Sequence, residues 1–155
     1  RYLIVGCDCK WVVVDHLHML VSALGEGDER RAIDNIMTRL RSLVEETGAG
    51  LILVSHLRRV DGNRGHENGI EVSLSHLRGS NSIGQLSDCV IALERNQQSD
   101  DPEEARTTRL RILKSRYTGD VGMATALIYD KETGRLSENY DTEFTVQENQ
   151  TSIAF

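Results

Sequence analysis

Cysteine is scarce in this chain of 155 residues. Cys7, Cys9 and Cys89 are an odd number, and with no secretion signal they read as reduced thiols in a cytosolic setting rather than a disulfide framework. No apolar run reaches membrane-spanning length, and the opening stretch Arg1-Tyr2-Leu3-Ile4-Val5-Gly6 is too short for a signal peptide. The initiator Met is also missing, so the chain reads as a piece of something larger. Positive charge is not in excess either. With a net charge of −6, bulk electrostatics cannot coat a nucleic acid, and any such contact needs a local basic patch. What remains, at 39% hydrophobic and 27% charged, is one soluble globular domain.

The stretch around which the rest is organised is Trp11-Val12-Val13-Val14-Asp15-His16. Three successive β-branched residues predict a strand buried on both faces, as inside a parallel sheet covered by helices. Ligands of open α/β sheets sit at the carboxyl ends of strands, where Asp15 falls. Two roles suit it there: holding a phosphate-bound Mg²⁺ through its water shell, or capping the next turn. Cys7-x-Cys9 and His16-x-His18 offer zinc-type ligands, but the strand between the pairs holds its ends apart, which counts against a joint site.

Residues 1–9 read as a helix tail or connector and His16 to Gly27 as a loop. From Asp28, apolar residues Ile33, Ile36, Met37, Leu40, Leu43 and Val44 recur at helical spacing. Asp28 suits the N-cap, Glu29 the first turn and Gly48 the stop. Leu51-Ile52-Leu53-Val54 is a second strand, so a βαβ unit places strands 11–15 and 51–55 parallel and brings His56 to the same sheet edge as Asp15. Leu57 to Gly79 lacks an apolar period and holds Arg58, Arg59, Arg64 and Arg78 among four glycines. A loop of that length is functional or disordered, though Asp61, Glu67 and Glu71 offset much of its charge. Ser80–Asp88 reads as a short helix, Cys89–Leu93 as a third buried strand, Asn96–Ala105 as an exposed hairpin tip, and Thr107–Leu113 with Met123–Tyr129 as an antiparallel pair. Lys131–Gly134 is a turn. Beyond Ser137 the chain turns polar and acidic, like a mobile tail.

In order, Val12-Val13-Val14-Asp15-His16, Ile52-Leu53-Val54-Ser55-His56-Leu57, Leu77-Arg78-Gly79-Ser80, Gln85-Leu86-Ser87-Asp88, Ala92-Leu93-Glu94-Arg95-Asn96-Gln97-Gln98, Lys114-Ser115-Arg116-Tyr117-Thr118-Gly119-Asp120 and Tyr129-Asp130-Lys131-Glu132-Thr133-Gly134 resemble the C-terminal half of the RecA-like motor domain of DnaB-like replicative helicases, above all the phage helicase-primases and the mitochondrial helicase Twinkle. Each motif is weak alone; the ordered set is specific. The resemblance implies an α/β fold with a RecA-like parallel sheet flanked by helices, continuing into antiparallel strands, over residues 1–137, followed by a tail at 138–155. It implies an ATP-dependent DNA helicase that translocates on single-stranded DNA as a hexameric ring, with ATP (or another NTP) and Mg²⁺ as cofactors, in the cytoplasm of a phage-infected bacterial host.

Carried over residue by residue, Asp15 matches the aspartate that holds Mg²⁺ and His56 the sensor of the γ-phosphate. Arg58, Arg59 and Arg64 lie on a channel loop that tracks DNA phosphates, and Arg78 with Gly79 on a second. Gln85 links DNA to the nucleotide edge. Lys114 and Arg116 reach the triphosphate of the neighbouring subunit, Arg116 as a finger, and Tyr129 stacks on adenine. Plain structural roles compete for several of these: a satisfied strand-end histidine, a solvated loop, a good strand tyrosine. The alternate spacing of Lys114 and Arg116 puts them on one side of an extended segment.

Two departures stand out. No Gly-x-x-x-x-Gly-Lys-Ser/Thr loop occurs, although phosphate binding in this fold depends on its N–H groups and lysine, and the family's catalytic glutamate falls upstream of residue 1. The chain alone is therefore expected to be inert toward ATP. The tail keeps Phe155 and scattered acids such as Glu143 and Glu148, where phage relatives dock a polymerase through a strongly acidic end. A non-helicase RecA-like ATPase or recombination mediator, or a non-catalytic nucleic-acid-binding module, would share many of these features; strand displacement separates the first from a helicase. The strands at 11–15 and 51–55 are also expected to expose apolar faces through which a lone fragment self-associates.

Overall fold

The computed structural model describes residues 1–23, 27–59 and 65–138. Strand β1 (Trp11–Val14) leads to helix α1 (Leu17–Ser22), the long helix α2 (Glu29–Thr47) and strand β2 (Gly50–Leu53). A single 3₁₀ turn at Leu74–His76 precedes α3 (Ser82–Leu86). Then follow β3 (Cys89–Glu94), α4 (Pro102–Arg106), β4 (Thr107–Ser115), β5 (Gly122–Tyr129) and β6 (Leu136–Glu138). No helix among the described residues is long and apolar enough to cross a membrane.

Helix α2 forms where the period predicts it. The Asp28 carboxylate accepts from the N–H groups of Arg30 and Arg31 at 3.0 and 3.3 Å, satisfying donors that have no partner within the helix. Gly48, at φ +67°, ends it in the left-handed conformation that glycine adopts without strain. Strands β1 and β2 pair in parallel, Val14 beside Leu53, with α2 as the crossover. β3, β4, β5 and β6 form a separate antiparallel sheet in that order; β3, expected to be buried, is covered on one face only, with Cys89, Ile91 and Leu93 exposed on the other.

The core is small. Leu17, Ile33, Met37 and Ile83 bury completely or nearly so, with Val21, Ile36, Leu53, Leu77 and Leu86 packed against them. It lies where α1, α2 and α3 meet one face of the parallel pair. The other face is bare: Trp11, Val13, Ile52 and Val54 are exposed, so β1 and β2 are covered on one side only, contrary to the expectation of burial on both. The bare side carries the exposed apolar residues expected of these strands in a lone fragment.

Two segments that read as loop or hairpin tip are helical. Within His16–Gly27, α1 makes one and a half turns and plants Leu17 in the core. The connection between antiparallel β3 and β4 is the expected exposed hairpin, but its second half is helical: Asp101 caps Glu103 N–H at 2.9 Å and Pro102 starts α4. β4 also runs to Ser115, so Lys114 lies within it rather than after it.

Candidate functional site

The carboxyl ends of β1 and β2 are locked together by backbone. Val54 N–H donates to the Val14 carbonyl and Leu17 N–H to the Val54 carbonyl, both at 2.9 Å. This latch sets Asp15, His16 and His18 on one side and His56 on the other at a single edge. Asp15 is exposed, and among the described residues its carboxylate makes no hydrogen bond or ion pair. It does not cap α1, whose N-cap residue is His16 with no side-chain cap bond. An uncommitted carboxylate in this position suits a water-mediated Mg²⁺.

His56 does not stand alone. Its ring centroid lies 3.9 Å from that of His16 and 5.2 Å from that of His18. Burial, then the positive charges of Arg78 and His56, hold His18 below its ordinary pKa, against the pull of Glu29. Glu29 Oε1 lies 3.8 Å from His18 Nε2 and 3.3 Å from the Arg78 guanidinium. His18 and Arg78 also border a hollow of about 500 Å³ between α1 and the start of α2.

The two candidate DNA loops are joined at their bases. Arg58 N–H donates to the His76 carbonyl at 2.8 Å and Arg78 N–H to the His56 carbonyl at 3.0 Å, around an antiparallel bridge between Leu57 and Leu77. Arg58 and Arg59 are exposed; Arg64 lies outside the described residues. Gly79 has φ +103°, and a Cβ there would run into Ile33 Cδ1. The close approach that this glycine permits is to α2. Next to it Ser80, buried, donates to the Asp34 carboxylate and anchors the second loop to the same helix. Hydrogen bonds from Ser80, then Ser82, hold the Asp34 carboxyl below the usual range.

Lys114 and Arg116 do lie on one side of their segment. They converge on the carboxyl end of α3, where Lys114 Nζ donates to the carbonyls of Gly84, Gln85 and Ser87 at 2.7, 3.0 and 2.8 Å. Arg116 donates to the Gln85 carbonyl at 3.1 Å and pairs with Asp88 at 3.1 Å. Asp88 in turn receives Arg41 of α2 at 2.7 Å. Cations at a helix C-terminus satisfy its orphan carbonyls and oppose its dipole. Gln85 is exposed at this junction. Tyr129 ends β5, its ring beneath the Arg95 guanidinium at 5.8 Å.

These positions therefore form three groups: Asp15 with His16, His18, His56 and Arg78; Gln85 with Lys114 and Arg116; and Tyr129 with Arg95. Sequence reasoning missed Asp34, Asp88 and Arg95, whose partners are 46, 47 and 34 residues away. It argued against a joint site of Cys7, Cys9, His16 and His18, but did not foresee that His18 turns toward His56. The side chains that converge are His16, His18 and His56, and neither Cys7 nor Cys9 joins them, because the cysteines precede β1 and the histidines follow it.

Comparison with known proteins follows the same lines. Residues 3–138 match the family described as DnaB-like helicase C terminal domain. The chain is 41% identical over 160 residues to a DNA helicase/primase of Enterobacteria phage T3, covering 98% of this chain and 28% of that protein. Of solved structures, one described as an ATPase domain superposes with a TM-score of 0.68 at 26% identity, covering 83% of this chain and 44% of that one. A DnaB-like replicative helicase, solved in a study of its interactions with primase, gives 0.68 at 28% identity over 81% of this chain and 30% of that one. The chain thus spans about a quarter of the phage relative's length. With a family match over residues 3–138, nearly all of those the structure describes, this chain belongs to the DnaB-like helicase C-terminal domain family.

Proposed function

We propose that this chain is part of the motor of a replicative DNA helicase that works as a hexameric ring on single-stranded DNA, in a phage-infected bacterial cytoplasm. Its residues would complete a nucleotide site whose phosphate loop comes from outside residues 1–155. One observation carries the reading: Asp15 and His56 stand at the ends of adjacent parallel strands, and the His56 carbonyl is bonded to the N–H of Arg78 on the second loop.

In this reading Asp15 holds Mg²⁺ with ATP or another NTP, and the metal's charge screens the phosphates. His56 meets the γ-phosphate, and any shift of its backbone is passed to Arg78. Arg58, Arg59, Arg64, Arg78 and Gly79 lie along the DNA strand, where charge counts and base identity does not. Gln85 sits between DNA and the nucleotide edge. Lys114 and Arg116 serve the neighbouring subunit's triphosphate, where a guanidinium fork stabilises the charge of the transferring phosphoryl group, and Tyr129 stacks on the base. Residues 1–137 are the motor portion, and the tail at 138–155 is a docking segment for the replicative polymerase.

The test is Arg116→Ala in the full-length protein. ATP turnover is expected to fall by a factor on the order of 10³ while nucleotide binding is retained; undiminished turnover would sink the finger assignment. Duplex unwinding by the full-length protein separates a helicase from a RecA-like ATPase that only binds strands.

A further inference from the structure

Three imidazoles meet at the head of the parallel pair, and the helicase reading uses only one of them. The potential ligand atoms of His16, His18 and His56 all lie within 4.8 Å of one another. Three of the nitrogens, Nδ1 of His16 and both of His18, are buried without a hydrogen-bond partner. Buried polar atoms left unpaired cost roughly 1–3 kcal/mol each, so His16 Nδ1 and the His18 nitrogen turned away from Glu29 call for a missing partner. Each neutral imidazole offers one lone-pair nitrogen, and a single ion that takes one from each ring satisfies that side of the cluster.

We propose that His16, His18 and His56 form a site for a borderline transition-metal ion of the Zn²⁺ class. Two nitrogens bound tetrahedrally at about 2.0–2.1 Å stand roughly 3.4 Å apart, a closure that side-chain rotation can supply from the present spacing. The holder is stiff: His16 and His18 flank Leu17, whose N–H is latched to Val54 two residues before His56. Glu29, 3.8 Å from His18 Nε2, is placed to orient that ring from behind through its other nitrogen. No carboxylate or thiolate joins the three among the described residues, which selects against Mg²⁺ and Ca²⁺ and leaves a fourth position open. The site is distinct in chemistry from the Mg²⁺ position assigned to Asp15. On the proposed helicase function rests one corollary: a metal that ligates His56 removes the sensor from the γ-phosphate, so Zn²⁺ inhibits turnover while Mg²⁺ supports it.

Direct binding tests the site without reference to catalysis. The full-length protein, stripped with chelator and kept in millimolar Mg²⁺, is titrated with Zn²⁺ by calorimetry and with Co²⁺ by visible absorption. One equivalent per chain attributable to this site is expected, with a tetrahedral Co²⁺ spectrum that survives in a Cys7→Ser/Cys9→Ser variant. His56→Asn, at an exposed position that leaves the core untouched, is expected to weaken binding at least 100-fold, His18→Gln likewise, and Glu29→Gln by 10- to 100-fold. Circular dichroism checks that each variant is folded. Absence of Zn²⁺ binding, or binding that is unchanged in folded His56→Asn or lost in the cysteine variant, overturns the proposal. If Zn²⁺ binds as expected but does not slow ATP turnover, the site stands and the sensor role of His56 falls.

Discussion

The His56 carbonyl accepts a hydrogen bond from Arg78 N–H at 3.0 Å, tying the end of a parallel strand to a basic loop 22 residues further along. The Arg78 side chain is meanwhile held by Glu29 at 3.3 Å, half exposed on both sides. Arg78→Ala keeps the backbone bond and removes the guanidinium. Stability is expected to change by less than about 1 kcal/mol, since exposed ion pairs contribute little. The salt dependence of single-stranded DNA binding, read by fluorescence anisotropy over roughly 50 to 200 mM salt, should lose a slope of roughly 0.7. An unchanged slope would remove Arg78 from the DNA interface.

Gly79→Ala meets two obstacles, the positive φ of +103° and the Ile33 methyl that stands where the new Cβ would go, and Ile33 is wholly buried. A loss of about 2–4 kcal/mol in unfolding free energy is expected. Gly134→Ala is the control: its φ of +68° carries a backbone penalty of about 1 kcal/mol, with nothing near the added methyl. Equal thermal midpoints for the two variants would refute the packing role.

Asp34 gives a pH dependence whose sign is fixed. Its carboxyl is held below the ordinary value of about 3.9 by Ser80, then Ser82, so the folded state binds protons more weakly than the unfolded. The stabilisation is complete above the unfolded value and is lost as pH falls through the folded one. Ser80→Ala is expected to raise the Asp34 pKa, measured by carboxyl carbon NMR, and to flatten acid unfolding at the low-pH end. An unmoved Asp34 titration would count against the anchor.

Glu94 illustrates a motif residue with a structural task. Almost completely buried in β3, it accepts from Val72 N–H at 2.8 Å and from Arg111 Nε at 2.9 Å. Glu94→Ala strands both donors and is expected to destabilise the fold by about 3 kcal/mol or more, read as a shift in the urea midpoint. A change below ~1 kcal/mol would mean that water replaces the carboxylate.

Sequence reasoning reached the parts of this molecule that depend on local rules. The 3.6-residue period of α2, its Asp28 cap and Gly48 stop follow from neighbours a few residues apart, and the strand–helix–strand order implies the parallel pairing of β1 and β2 that brings His56 beside the end of β1. α1 escaped because six residues carry too little period to register, although Leu17, Leu20 and Val21 hold it in outline. α4 escaped although Asp101-Pro102-Glu103-Glu104 spells a helix start, because the acidic composition around Pro102 favoured a turn. The histidine cluster and the Asp34, Asp88 and Glu94 bonds join segments far apart in the chain, and no local pattern encodes such pairings.

Lys114 has a further consequence. An ammonium group has three hydrogens, and here each has a carbonyl of its own around the end of α3. Its donor valence is saturated. In the proposed ring, a phosphate on an adjoining subunit would receive this lysine in exchange for its α3 carbonyls, and the end of α3 would loosen as the neighbour's nucleotide is gripped. Motion at a subunit boundary would then be written into the helix that carries Gln85 as an exchange of partners by one side chain, a detent rather than a hinge.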